Sequence, residues 1–293
     1  MVVRKSVGEK IFGFFNAIIL TFICLCTLYP FLYVIFASIS NPAQFISYRG
    51  ILWHPLGFQW DSYKMVLSNQ MIGSGYANTL FIVVVGTVLN VFFTALGAYA
   101  LSRQGYYWRK VFSLLLVFTM MFSGGLIPTY LTVNSLKLID SLWALILPGL
   151  ISTYNLMIMR TSFANVPASL EESAKLDGAN DWTVLFRIFF PLSKAVIAVM
   201  LLYYGVAHWN GWFNAMLYLR SRTKYPLQIV LREILIANDT SSMTTDVSAN
   251  DQEMVAETIK YACIVVSTIP IMCVYPFVQK YFVTGVMIGS MKG

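Results

Sequence analysis

The sequence predicts an all-α polytopic membrane protein with six transmembrane helices, and three observations carry that prediction. First, 58% of the 293 residues are hydrophobic and only 11% are charged, with a mean hydropathy of +0.68. Soluble domains carry about 25% charged residues, so the composition excludes a soluble protein with a large core. Second, six stretches come close to or exceed the roughly 20 apolar residues that cross a bilayer. Third, Lys and Arg are unevenly shared among the segments between them. The formal charge of +7 would point to nucleic acid in a soluble protein. Here the basic residues hold cytoplasmic loops in place, and no nucleic-acid partner is expected.

The first stretch, residues 11–38, follows a basic start with Arg4, Lys5 and Lys10. Its apolar run is longer than the roughly 7–15 residues of a signal-peptide core, so it is a retained helix behind a cytoplasmic N-terminus, residues 1–10. The second, 79–101, is uninterrupted. The third, 111–132, contains Ser123-Gly124-Gly125 and Pro128, and the fourth, 142–159, contains Pro148. The fifth runs from 191 to 219, and the sixth, 261–286, contains Pro270 and Pro276. These Gly and Pro residues mark kinks around a polar path, or reflect their ordinary frequency in membrane helices; both readings stand.

Six crossings put both termini on one side. With the N-terminus inside, the inner segments hold 12 of the 20 Lys and Arg residues. Once the long segment 220–260 is set aside, the outer ones hold only Arg49, Lys64 and Lys137. The positive-inside rule therefore gives N-in and C-in. Outer loops are expected at 39–76 and 220–258, and a cytoplasmic tail at 287–293. Cys24, Cys26, Cys263 and Cys273 all lie in apolar stretches, form no CxxC pair, and are expected to be packing residues.

One segment breaks the apolar pattern: "SLEESAKLDGANDWTVLFRIFFPL", residues 169–192. Ser169 and Glu172 have the S-x-x-E spacing of a capping box, which predicts a helix start. Leu170, Glu171, Glu172, Ala174, Lys175 and Leu176 are good helix formers. Gly178 stands where a helix would end in a left-handed residue. Asn180 or Asp181 can cap a second helix near Trp182. Pro191 suits the first turn of the next membrane helix. Ala174 and Gly178, four apart, would share a small-residue face for close approach of another surface. From the residues alone the segment is either a docking element or a plain cytoplasmic loop with an amphipathic helix.

Glu172-Ser173-Ala174, three residues, Gly178, nine residues, Ile188, one residue and Phe190-Pro191 resemble the E-A-A-x3-G-x9-I-x-L-P loop of ABC importer permeases. Ser173 and Phe190 depart from the pattern but keep its small size and its apolar character. "ANTLFIVVVGTVLNVFFTALGAYALSR" and "QKYFVTGVMIGSMKG" are similar to the second-helix region and tail of MalG-type sugar permeases. "FSGGLIPTYLTVNSLKLIDSLWALILPGLISTYNLMIMRTSF" and "HWNGWFNAMLYLRSRTKYPLQIVLREILI" resemble the LplC/YtcP-like branch.

This resemblance implies a type I ABC importer permease fold, with residues 11–293 as a single transmembrane domain. It implies a coupling helix at about 169–181 that docks on a dimeric cytoplasmic ATPase through Glu171, Glu172, Ala174, Asp177, Gly178 and Ala179. It further implies a second, MalF-like permease as heterodimer partner, an extracellular sugar-binding protein or lipoprotein, and a carbohydrate cargo, with membrane lipid around the spans. ATP and Mg would belong to the partner ATPase, and no cofactor to this chain.

Absent chemistry agrees. No G-x-x-x-x-G-K-[ST] is present, so no P-loop. There is no H-E-x-x-H, and His54 and His208 are the two histidines, which leaves no metal-site spacing. No carboxylate lies well inside the six stretches, where ion-coupled transporters place them. An enzyme built on His208 lacks a second catalytic group at suitable spacing. In "HWNGWFNAMLY", Asn210 and Asn214 are four apart and Trp209 and Trp212 three apart. Such a face could stack on a sugar ring and bind its hydroxyls, or could serve as an interfacial belt and join helices. Tyr154 and Asn155 are candidates of the same kind. In the maltose relative the companion permease supplies the main sugar site.

Overall fold

The structure, a computed structural model, describes residues 6–103, 108–236 and the backbone of 249–290, with side chains at 255–274 and 276. The described residues are almost entirely helical, with one isolated bridge, Ser40 to Phe58. The helices are α1 (Val7–Ser38), α2 (Pro42–Ser47), α3 (Asp61–Ser68), α4 (Gln70–Ser102), α5 (Arg109–Met121), α6 (Leu126–Ser135), α7 (Thr153–Ala164) and α8 (Ala168–Leu176). Then follow α9 (Asp181–Val184), α10 (Phe190–Leu192), α11 (Lys194–Trp209), α12 (Phe213–Tyr218), α13 (Leu227–Ile236) and α14 (Ala249–Ser290).

Among the described residues three helical runs are long and apolar enough to cross a membrane: Val7–Ser38, Gln70–Ser102 and Val255–Val274. The other three expected spans are bent pairs. Arg109–Met121 and Leu126–Ser135 meet at 112°, Leu142–Gly149 and Thr153–Ala164 at 51°, and Asp181–Leu192 and Lys194–Trp209 at 88°. The third and fourth stretches thus break at the Gly and Pro residues read there as candidate kinks, the fifth breaks as well, and each break has a local cause. Gly125 has φ +88°, outside the helical range. Pro148 sits in a 3-10 turn, Leu147–Gly149, and supplies no N–H. Pro191 likewise removes a donor, after a π-helical stretch at Leu185–Phe189 and before the bend at Ser193. It therefore ends one helical run instead of opening the next.

The segment expected as an outer loop at 39–76 contains α2, α3 and the first turns of α4, and that at 220–258 contains α13 and the start of α14. The polar stretch 237–248 and the last residues of the expected tail, 291–293, lie outside the described residues.

The chain forms two compact units. Residues up to 69 with 233–269 make one, and 70–232 with 270–293 the other. In the first, α1 exposes apolar side chains such as Phe12, Phe15 and Phe22 along most of its length, as a lipid-facing helix does. Tyr33, Phe45 and Tyr261 form a ring cluster with centroids 5.5–6.3 Å apart, Tyr261 lying edge-to-face with the other two. Ser62 Oγ donates to Thr258 Oγ1 at 2.9 Å in the interior. Cys263 is buried, but Cys24, Cys26 and Cys273 are exposed, so the packing role holds for Cys263 alone.

The second unit is built on α4. Ala95, Ala98 and Leu101 of α4 pack against Leu156, Met159 and Phe163 of α7 and Met200 and Tyr204 of α11. Small residues on α4 permit this close approach, which is the usual means of joining helices in lipid. Asp140, at φ +59°, ties two distant segments together. It accepts the backbone N–H groups of Arg220 (3.0 Å) and Ser221 (2.9 Å), the Ser221 hydroxyl (2.6 Å) and Lys224 Nζ (2.8 Å). Asp140→Ala is expected to lower the thermal unfolding midpoint of the purified protein more than Lys224→Ala. The first change strands two backbone amides and a hydroxyl, and the second removes a half-buried ion pair and the Lys224 bond to Asp140 O (2.6 Å) but leaves those three groups paired.

Candidate functional site

The polar segment folds as two short helices joined by a glycine turn. Helix α8 begins at Ala168 behind Pro167, which is extended at φ −56°, ψ 131°. Ser169 is thus inside the helix and does not cap it, which corrects the expected capping box. Proline decides the start because it fixes its own φ and disfavours helix in the residue before it. An S-x-x-E pair does work elsewhere: the Ser6 N–H donates to Glu9 Oε2 at 2.8 Å at the start of α1. At the other end Gly178 adopts φ +83°. The Gly178 N–H donates to Lys175 O (3.0 Å) and the Ala179 N–H to Ala174 O (2.9 Å). This pair of bonds is the Schellman ending, and it consumes carbonyls that the helix end would leave free. Asn180 then caps α9, its Oδ1 accepting the Thr183 N–H at 2.8 Å.

The two small residues part company. Ala174 packs inward with Ala179 against the α4–α7 core, whereas Gly178 is exposed. The expected shared face does not form, because Gly178 has left the helix and the four-residue rule no longer applies. Glu171 also turns inward. It pairs with Arg103 at the end of α4, accepts Lys175 Nζ at 2.9 Å, and lies 3.4 Å from Tyr99 Oη. Lys175 reaches Asp181 as well, at 3.2 Å. Arg103 in turn donates to Phe163 O at 3.2 Å and lies 4.3 Å over the ring of Phe189. Burial works to raise the Glu171 carboxyl, but the hydrogen bonds from Lys175 and Arg103, and their charges, outweigh it and hold it below its ordinary value. Lys175 is raised, chiefly by its hydrogen bond to Glu171.

This ion network fixes α8 and α9 to α4. It lines a cleft of about 870 Å³ with Leu96, Tyr99, Val166, Pro167 and Trp182. Outward the segment presents Glu172, Asp177, Gly178 and, at 89% exposure, Leu176. The sequence singled out Leu176 as a helix former and not as a surface residue. Its signal was its place in the last helical turn, where an outward apolar side chain has no lipid reason. Trp182, also exposed, stacks on Phe186 (6.1 Å, 7°) and Phe92 (6.5 Å, 12°).

The second set of candidate residues is not gathered into one place. Helix α11 ends at Trp209, and Asn210-Gly211-Trp212 separates it from α12. Asn210 and Asn214 therefore do not share a helix face, nor do Trp209 and Trp212, and the periodicity read from 208–218 is corrected. Trp209 is buried, edge-on to Tyr76 at 6.2 Å. Asn210 Nδ2 donates to Val206 O at 3.0 Å, closing the helix end. Trp212 carries the guanidinium of Arg232 at 3.9 Å over its ring. Asn214 is exposed on α12, Tyr154 is exposed and Asn155 is buried in the first turn of α7. Among the described residues no cluster of His, Cys, Asp and Glu could hold a metal ion.

Comparison with known proteins places these features in a family context. The family described as binding-protein-dependent transport system inner membrane component matches residues 94–288. The chain is 44% identical over 285 residues to the polygalacturonan/rhamnogalacturonan transport system permease protein YtcP of Bacillus subtilis, covering 97% of each. It is 42% identical over 290 residues to Protein LplC of the same organism, covering 99% of this chain and 98% of that one. A chain of the crystal structure of a bacterial ABC transporter involved in the import of the acidic polysaccharide alginate superposes with TM-score 0.87 at 36% identity, covering 95% of this chain and 99% of that chain.

A Cβ at Gly178 would meet nothing within 4 Å, so the constraint there is backbone conformation alone. Gly178→Val is expected to cost about 1–2 kcal/mol in the left-handed region. It should raise amide exchange across 174–180 in the purified protein. Asn tolerates this region, and Gly178→Asn should leave exchange close to wild type.

Proposed function

The chain belongs to the binding-protein-dependent transport system inner membrane components, and from that premise we propose that it carries acidic oligosaccharides across a bacterial cytoplasmic membrane. As a permease subunit it is a transport protein and not an enzyme. Membership implies a partner permease, an ATPase and a binding protein. The partner permease is a related but distinct chain, giving a heterodimer. A dimeric ATPase binds ATP and Mg on the cytoplasmic side, and an extracellular binding protein delivers the sugar. Both termini of this chain face the cytoplasm.

The observation that carries the coupling role is the shape of the 168–184 segment. Its acidic and basic side chains at 171, 175 and 181 are spent on the chain's own Arg103 and Tyr99. Its Glu172, Leu176 and Asp177 are left outward on a rigidly held turn, as a docking surface for another protein requires. The acidic character of the cargo is supported by the relatives: polygalacturonan is a polymer of uronic acids, and the structural neighbour imports alginate. ATP-driven closure of the ATPase pair would displace α8, and rigid-body movement would switch the path between its two openings.

The test is uptake by proteoliposomes holding this chain, its partner permease and the ATPase, supplied with the binding protein. Labelled oligogalacturonate should accumulate only with ATP and the binding protein present, and faster than a neutral arabino-oligosaccharide of equal length. Accumulation without ATP would contradict the importer role, and preference for the neutral sugar would contradict the acidic cargo.

A further inference from the structure

The fourth apolar stretch is interrupted between the 3-10 turn Leu147–Gly149 and Thr153, where α7 begins. A break at membrane depth frees backbone groups that have no water to bond to, and each needs a partner from the protein. Asn90 of α4 is 0% exposed and meets this need directly. Its Nδ2 donates to Gly149 O and to Leu150 O, both at 2.8 Å. Both amide hydrogens are then used, so Oδ1 faces the remaining neighbour, His208 Nε2, at 2.8 Å. A carbonyl oxygen can only accept, so His208 carries its proton on Nε2 and donates it to Asn90. One turn along, Tyr204 Oη accepts the Ser152 N–H at 3.1 Å and lies 2.7 Å from Thr94 Oγ1. Tyr204 therefore has its own proton for Thr94.

Asn90 and Thr94 are four apart on α4, and Tyr204 and His208 four apart on α11, so each pair shares a face. Between them they hold both ends of the break: the carbonyls before it and the amide after it. From that break α7 runs to Ala164, and α8 starts four residues later at Ala168. Gly86 fits the same account, because a Cβ there would sit 2.6 Å from His208 Nε2 and push the ring from Asn90.

We propose that His208 and Tyr204 are positioning residues for transport. Through Asn90 and Ser152 they set how α7 leaves the break, and so link displacement of α8 to the α4–α11 pair. This rests on the permease reading above. It predicts that the donor at 208 matters and not the imidazole as such.

The experiment uses the assembled complex in proteoliposomes, measuring oligogalacturonate uptake, ATP hydrolysis with and without the binding protein, and recovery of the complex after purification. His208→Leu should lower uptake per ATP hydrolysed on the order of tenfold, the scale of losing one buried hydrogen bond and stranding its acceptor. Recovery of the complex and ATP hydrolysis without binding protein should stay at wild-type levels. His208→Gln, which returns an N–H donor, should restore most of the uptake. Tyr204→Phe, which keeps the ring and removes only the hydroxyl, should resemble His208→Leu. Wild-type uptake per ATP in both His208→Leu and Tyr204→Phe would overturn the proposal. So would a His208→Gln variant as impaired as His208→Leu, or parallel loss of complex in both His208 variants, since either makes the site merely structural. Absence of ATP-driven uptake by the wild-type complex would instead count against the permease reading itself.

Discussion

In hydrocarbon a backbone carbonyl without a donor is costly, and this constraint governs where the chain can afford to stop being helical. Three apolar stretches are broken, at Gly125, around Pro148 and at Ser193. At the second break the freed carbonyls of Gly149 and Leu150 are both taken by one buried amide, Asn90. The same logic recurs at the ends of helices: Arg160 Nε donates to Leu101 O (3.2 Å), and Arg103 to Phe163 O (3.2 Å). The α4–α7–α11 packing thus joins apolar burial with side chains that satisfy backbone groups.

Two roles are divided between residues adjacent in sequence. Glu171 looks inward and fixes α8 to the end of α4, whereas Glu172 looks outward. Ala174 and Ala179 close the helix end against the core, whereas Leu176 stands almost fully exposed between them. On the proposed coupling role the segment needs both: internal ties that keep it from deforming, and an outward face free for a partner. The ion network supplies the first, and its members are spent within the chain.

Much of this was legible in the sequence where the signal is local. Gly178 announced a left-handed turn and Asn180 a cap, because both act on backbone groups within a few residues. The membrane class followed from composition, and the family resemblance from spacing. The misreadings share a cause. Hydropathy reports how apolar a stretch is and not its direction, so it left the place and the angle of the breaks within 111–132, 142–159 and 191–219 open. Ser169 had the capping spacing, but Pro167 set the helix start first. Asn210 and Asn214 had helical spacing, but the helix ended at Trp209. The Asn90–His208 and Arg103–Glu171 pairs join residues 118 and 68 positions apart, and nothing in either neighbourhood advertises the other.

On the proposed reading the outward face of α8 meets the ATPase while its inward face serves this chain alone. Site-directed cross-linking tests it, with Cys24, Cys26, Cys263 and Cys273 first replaced. A cysteine at 176 should cross-link to the ATPase subunit in membranes, and one at 171 should not. Equal cross-linking from both positions, or none from 176 in a complex that transports, would contradict the account.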